Sequence, residues 1–259
     1  MKVFAIANQK GGVGKTSIAV NLSATLAHYG QRALLIDLDP QGNATTGSGI
    51  DKSQVKKSLY GVLLGEYPIT EARVKAEANF DVLPANRELA GAEIELIHIE
   101  RREFRLKEAL THIENDYDFA VIDCPPALNM LTVNALTAAD AVIIPMQCEY
   151  YALEGLSDLV GTLRKVKANL NPKIEIEALI RTMYDPRSSL TNQVSEEIKN
   201  HFGDKVFDTV IPRNIRIAEA PSFGKPVITY DPASKGAQAH LAFARELLTR
   251  QGIHLPEAA

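Results

Sequence analysis

Eight consecutive residues near the amino terminus, Gln9-Lys10-Gly11-Gly12-Val13-Gly14-Lys15-Thr16, combine three glycines, two lysines and a hydroxyl. They lie between an apolar run, Val3-Phe4-Ala5-Ile6-Ala7, and a helical pattern over Thr16 to His28. A loop of this composition can cradle phosphate. Glycines let successive backbone N–H groups turn toward one anion, and the helix that follows adds the positive end of its dipole. Lys15 brings a compact cation to terminal phosphates, and the Thr16 hydroxyl is a ligand for Mg²⁺. The expected ligand is therefore a nucleoside triphosphate with Mg²⁺. The spacing departs from G-x-x-x-x-G-K-[ST] in one informative way: Gln9 fills the first glycine slot and a second lysine, Lys10, precedes the glycine pair.

Two further loops carry acids. In Leu34-Leu35-Ile36-Asp37-Leu38-Asp39-Pro40-Gln41-Gly42-Asn43, Asp37 ends an apolar run and Asp39 enters a Pro/Gly loop, where it can orient a water molecule. In Phe119-Ala120-Val121-Ile122-Asp123-Cys124-Pro125-Pro126, four apolar residues run into Asp123, the arrangement by which a phosphate-loop protein supports Mg²⁺, often through a bound water. Either aspartate alone could be a turn former. With Lys15 and Thr16 they describe one Mg-nucleotide site.

Such a site needs elements that bring separate loops to one rim. Continuous apolar runs at 3–7, 33–37, 80–83, 119–123, 141–145, 174–180 and 206–211 read as strands covered on both faces. Between them, apolar residues at spacings of three and four predict helices over 16–28, 101–113, 128–138, 151–170, 190–202 and 237–250. The alternation predicts an α/β fold: a doubly wound, mostly parallel sheet flanked by helices, with ligands at the carboxyl ends of its strands. No linker or repeat divides the chain, so 1–259 is expected to form a single domain, with a frayed tail from about 251.

Composition narrows the classes. At 259 residues and 46% hydrophobic content the chain can bury a large core, and a net charge of −4 does not mark a protein built around nucleic acid. The segment 181–250, however, holds 10 Lys/Arg against 8 Asp/Glu, so what basic excess exists lies toward the carboxyl terminus. Cys124 and Cys148 each adjoin apolar runs and read as core thiols of a reducing compartment. No apolar run approaches the roughly 20 residues that span a bilayer, and the first apolar run is too short for a secretory signal. A cytoplasmic protein is expected.

The motifs resemble those of the ParA/Soj chromosome-partitioning ATPases, the deviant Walker A branch of the P-loop NTPases within the wider ParA/MinD superfamily. The residues that carry the likeness are Lys10 to Thr16, Asp37 to Asn43, Asp123 to Pro126, Gln147-Cys148-Glu149-Tyr150-Tyr151-Ala152-Leu153-Glu154-Gly155, Val210 to Asn214 and Glu219-Ala220-Pro221-Ser222. They span nearly the whole chain. The resemblance implies ATP hydrolysis within a homodimer that sandwiches the nucleotides. Lys10 would cross to the ATP of the other subunit, making hydrolysis conditional on dimerisation. Lys15 would hold β and γ phosphates, Thr16 and Asp123 would serve Mg²⁺, and Asp39 would place the attacking water. Gly11, Gly12, Val13, Gly14 and Ser17 would line the ATP, with Pro212 and Asn214 near the adenine.

The same resemblance implies that the ATP dimer binds double-stranded DNA without regard to sequence, which would associate it with the nucleoid. The cations available are Arg187, Lys199, Arg216, Lys225, Lys235 and Arg245, of which Arg187 matches a family DNA position. It also implies a ParB-type centromere-binding partner that stimulates hydrolysis, driving chromosome or plasmid segregation. Three rivals remain. A MinD-like membrane ATPase that positions the division site needs a basic amphipathic continuation, which Gly252-Ile253-His254-Leu255-Pro256-Glu257 does not supply, so the stripe around Leu241, Phe243, Leu247 and Leu248 reads as core. An iron–sulfur ATPase resembling the nitrogenase iron protein would need different surroundings for Cys124. An operator-binding relative would carry a helix-turn-helix segment for which no room is expected before the first strand.

Overall fold

The computed structural model describes residues 1–255; residues 256–259 lie outside the described part. Eight strands form one sheet: β1 (Lys2–Ile6), β2 (Ala33–Asp37), β3 (Val74–Lys75), β4 (Asp81–Leu83), β5 (Phe119–Asp123), β6 (Ala141–Gln147), β7 (Glu175–Tyr184) and β8 (Val206–Pro212). Their order is β3-β4-β2-β5-β1-β6-β7-β8. All neighbours are parallel except β3, which pairs antiparallel with β4 at the edge. The expected doubly wound sheet is therefore present, and β1 sits at its centre between β5 and β6. Loops leaving β1, β2, β5 and β6 all emerge on one rim.

The connecting helices are α1 (Lys15–His28), α2 (Asn43–Gly47), α3 (Leu59–Leu64), α4 (Ile69–Ala72), α5 (Leu89–Glu95), α6 (Arg105–Thr111), α7 (Met130–Ala138), α8 (Ala152–Asn169), α9 (Ser189–Phe202), α10 (Ile215–Glu219), α11 (Val227–Tyr230) and α12 (Lys235–Arg250). Alternation along β1 divides them into two layers. Val3, Ala5 and Ala7 face a core completed by α3 to α9, whereas Phe4 and Ile6 face one completed by α1 and α12. Both faces of β2 and β5 are covered, every residue of each strand being buried, which is why their sequences run apolar without alternation.

The apolar stripe of α12 belongs to the core: Phe243, Leu247 and Leu248 are 0% exposed. Each such side chain contributes roughly 1.5–3 kcal/mol to stability, and none of this surface is left over for a lipid face. Among the described residues, no helix is long and apolar enough to cross a membrane. Several boundaries differ from expectation. The helix expected over 101–113 starts only at Arg105, because Arg101 adopts φ 54° and a short 3₁₀ turn intervenes. The helix expected from 128 starts at Met130, where Asn129 caps it by accepting the Thr132 N–H at 3.0 Å. The tail expected from about 251 is a correction in its first half, since Ile253 and Leu255 pack on the α1/α12 core and the Ile253 N–H reaches the Leu248 carbonyl at 2.9 Å.

A candidate nucleotide site on the carboxyl rim of the sheet

The loop between β1 and α1 is built by backbone conformation. Gly12 and Gly14 adopt φ 73° and 90°, in the left-handed region that glycine enters without the penalty of a Cβ. A side chain at Gly12 would meet open space, so conformation and not crowding demands glycine there. Gly14 is the cap residue of α1, which begins with no side-chain cap; its first N–H groups are left for a ligand. Lys15 folds back so that its Nζ donates to the Lys10 carbonyl at 3.1 Å, and the Asn8 carboxamide oxygen accepts the Lys10 N–H at 2.9 Å. The Lys15 side chain is only 8% exposed, and burial lowers its pKa against the pull of Asp123 and Asp39.

Register brings the acids alongside. Ile6 pairs with Asp123 and Asp37 pairs with Asp123, so two carboxylates and the base of the loop share one layer of the rim. Both aspartates are fully buried, yet their partners differ. Asp37 accepts the Thr45 N–H and hydroxyl at 2.7 Å each and the Asp39 N–H at 3.2 Å. Burial still pushes it up to about 6, with those hydrogen bonds opposing. Among the described residues, neither carboxylate oxygen of Asp123 has a hydrogen-bond partner within bonding geometry. Burial and the neighbouring Asp37 raise its pKa well above the usual range, while Thr16 and Lys15 pull the other way. A buried carboxylate without donors, beside a hydroxyl and a lysine, suits a hard cation: Thr16 and Asp123 fit Mg²⁺ by donor type and by this unmet demand. Asp39 is half-buried, and its Oδ1 accepts the Gln41 N–H at 2.9 Å.

The remaining pieces come from afar. Lys10, at 39% side-chain exposure, forms an ion pair of 2.6 Å with Glu149 from the loop after β6. A cleft of ≈370 Å³ opens between the ends of β7 and β8, where Gly14 and Ser17 meet Met183, Pro212, Asn214 and Pro221. Pro212 and Asn214 thus lie beside the phosphate loop. Asn214 also caps α10, its Oδ1 accepting the Arg216 and Ile217 N–H groups at 2.9 and 3.3 Å, so only its amide nitrogen remains to address a ligand.

Comparison with known proteins now has a geometry to rest on. The family described as AAA domain matches residues 1–176. The chromosome partitioning protein ParA of Caulobacter vibrioides is 54% identical over 262 residues, covering 100% of this chain and 98% of that protein. The chain belongs to the ParA/Soj family of chromosome-partitioning ATPases. The sporulation initiation inhibitor protein Soj of Bacillus subtilis is likewise 54% identical, over 95% of this chain and 98% of its own. Among solved structures, cobyrinic acid a,c-diamide synthase from Mycobacterium smegmatis with bound ATP analog and magnesium superposes with a TM-score of 0.85 at 36% identity, covering 100% of both chains. The ParA/Soj assignment makes the glycine loop of this chain that of a P-loop NTPase.

The basic residues of this ParA/Soj protein are spread over several elements. Arg187 is bound bidentately by Asp185, both contacts at 2.9 Å, which holds that carboxyl down to about 2. Arg216 pairs with Glu219 at 2.9 Å and Asp231 at 3.1 Å. Lys225, just before α11, and Lys235, the first residue of α12, are exposed, and α10, which carries Arg216, packs against both helices. Arg245 sits over the Tyr29 ring at 5.5 Å, ten residues beyond Lys235 and so about 15 Å further along α12. Half-buried Lys199 lies on α9. Sequence reasoning overlooked Arg213, which is exposed in the loop after β8 and close enough to Asp185 to lower its pKa. It also gave Asp37 no part in the site; its place after an apolar run, two residues before Asp39, was the available signal. Cys124 and Cys148 are free and buried, and burial pushes the Cys148 thiol up to about 11.

Proposed function

We propose that this protein hydrolyses ATP to ADP and phosphate within an ATP-dependent sandwich dimer that binds DNA non-specifically, segregating a chromosome or plasmid. The observation that carries the reading is the orphaned Asp123 carboxylate at the foot of a glycine loop with Lys15 and Thr16 beside it. The Gly11–Thr16 backbone receives the phosphates, Lys15 holds β and γ oxygens, and the β7/β8 cleft takes the adenine against Pro212, Asn214 and Ser17. Thr16 and Asp123 would hold Mg²⁺, which supplies neutralising charge to the β and γ phosphates. Asp39 orients the attacking water, and Lys10, released from Glu149, reaches the partner subunit's phosphates.

DNA would contact Arg187, Arg213, Arg216, Lys225 and Lys235, doubled across the dimer; Arg245 is retained only as an outlying contact. Carboxylates that now hold Arg187 and Arg216 compete with phosphate, so the contact should be weak in one subunit and effective only in two. The ATP-bound dimer would thereby be held on the nucleoid within the cytoplasm, and a ParB-type partner would release it by stimulating hydrolysis. ATP sets the DNA-bound population through its differential affinity for the dimer. Support comes from the family membership and from the Caulobacter vibrioides relative named for chromosome partitioning.

Size-exclusion chromatography of Asp39→Ala with and without ATP, followed by nonspecific duplex DNA, tests the sequence of events. A stable ATP dimer that binds DNA with steeply salt-dependent affinity is expected. Normal turnover in Asp39→Ala, or a monomer under all conditions, would overturn the reading.

A further inference from the structure

The phosphate loop touches a strand that its motif does not include. Thr182 of β7 is 4% exposed and its hydroxyl donates to the Val13 carbonyl at 2.8 Å, across 169 residues of sequence. Thr182 also lies under Gly14, where an added Cβ would come 3.9 Å from the threonine Cγ2. The strand end that presents it is separately anchored. Pairing of β7 with β8 shifts register on both sides of Arg181. The buried Arg181 guanidinium spans the irregularity, donating to the Phe207 and Asp208 carbonyls at 2.6 and 2.9 Å and to the Ser195 hydroxyl at 2.8 Å. Successive strand residues face opposite sides, so Arg181 fastens one face while Thr182 addresses the loop on the other.

We propose that Thr182 is a positioning residue that locks the Val13–Gly14 peptide with its N–H toward the nucleotide phosphates. In a planar trans peptide the carbonyl and the following N–H point in opposite directions. Holding the Val13 carbonyl on Thr182 therefore directs the Gly14 N–H away from β7, toward the open side of the loop. Without this hold the peptide can turn over, because the turn rotates ψ of Val13 and φ of Gly14, and Gly14 tolerates either sign of φ. A reversed peptide would set a carbonyl oxygen against the phosphates. Thr182→Val keeps the shape and removes the donor; Thr182→Ser keeps the donor and removes the methyl.

The proposal rests on the loop being a nucleotide site, so the test separates the two. Calorimetric titration with MgADP is run on the wild type, Thr182→Val, Thr182→Ser and Lys15→Ala, with thermal unfolding of each ligand-free protein alongside. Affinity should fall about tenfold in Thr182→Val and return to within about threefold in Thr182→Ser, the scale of one lost hydrogen bond to a buried carbonyl. The KM for ATP should rise with it while kcat changes by less than about threefold, a split that general loosening of β7 would not produce. Wild-type affinity in Thr182→Val, with Lys15→Ala impaired, overturns the Thr182 role alone. Unimpaired binding by Lys15→Ala overturns the nucleotide site itself. If Thr182→Val does not fold, Thr182→Ala against Thr182→Ser carries the same comparison, and equal affinities would reject the proposal.

Discussion

The carboxyl ends of β2 and β5 lie side by side, each closing on a fully buried aspartate, and the protein treats the two oppositely. Asp37 is surrounded by donors: Thr45 provides two and Asp39 one. Thr45 is tied in turn to the Ala85 N–H at 3.0 Å, so Asp37 knits the loops after β2 and β4 together. Asp123 has the same burial, and among the described residues no donor meets its oxygens in hydrogen-bond geometry, the Thr16 hydroxyl lying beside it without completing a bond. Burial alone therefore does not mark a ligand site. A satisfied carboxylate is part of the scaffold, whereas one left with two empty oxygens is an acceptor held in reserve. The cationic side repeats the contrast more weakly, with Lys15 buried on a backbone carbonyl and Lys10 half-exposed on Glu149.

The contrast is broken most directly at Asp123. Asp123→Asn should lower ATP hydrolysis by about 100-fold and abolish the difference in nucleotide affinity measured with Mg²⁺ and with EDTA. The same substitution should stabilise the ligand-free protein. Because the folded-state pKa of Asp123 lies above its unfolded value of 3.8, the wild type loses stability as pH rises past that value. The advantage of Asp123→Asn in urea unfolding should accordingly grow from pH 4 upward; a constant or shrinking advantage would contradict an orphaned carboxylate.

Asp37→Ala should act the other way, destabilising the fold by about 3 kcal/mol as buried donors lose their acceptor, with a lower urea midpoint. If it costs no more than a surface substitution, the scaffold role assigned to Asp37 is wrong. A third buried titratable group gives a control of opposite sign. His240 in α12 is fully buried, neither ring nitrogen has a hydrogen-bond partner among the described residues, and burial pushes its pKa from 6.5 down to about 3. The unfolded chain then binds the proton first as pH falls below 6.5, so the wild type should lose stability relative to His240→Leu on acidification. The difference should amount to about 1.4 kcal/mol per pH unit between those values. The smallest effect is expected at Glu149. Its pair with Lys10 is half-exposed, so Glu149→Gln should lower the protein concentration needed for ATP-dependent dimerisation by no more than about fivefold. High salt should erase that shift.

Local patterns carried much of the architecture. Strands at 33–37 and 119–123 were readable to the residue because a strand buried on both faces must be apolar throughout. The short helices between 43 and 95 were not, since helices of four to seven residues provide too few turns for a periodicity and take their stability from packing. The edge strand β3 has only two exposed residues and no apolar signature. Cap chemistry moved boundaries by a residue or two, as at Asn129 and Ser234.

By itself the amino-acid sequence determined the phosphate loop, because contiguous glycines, a lysine and a hydroxyl set backbone sign and donor type within one turn. It also determined the parallel sheet, because periodicity is a local property. Only tertiary structure decided that Asp123 would lie unbonded beside Asp37, that Glu149 would hold Lys10, and that Thr182 would meet Val13. Those outcomes depend on strand order and register, which set Asp37 beside Asp123 and join Lys10 to Glu149 and Val13 to Thr182 across 139 and 169 positions, and which leave no mark in the immediate neighbours of these residues.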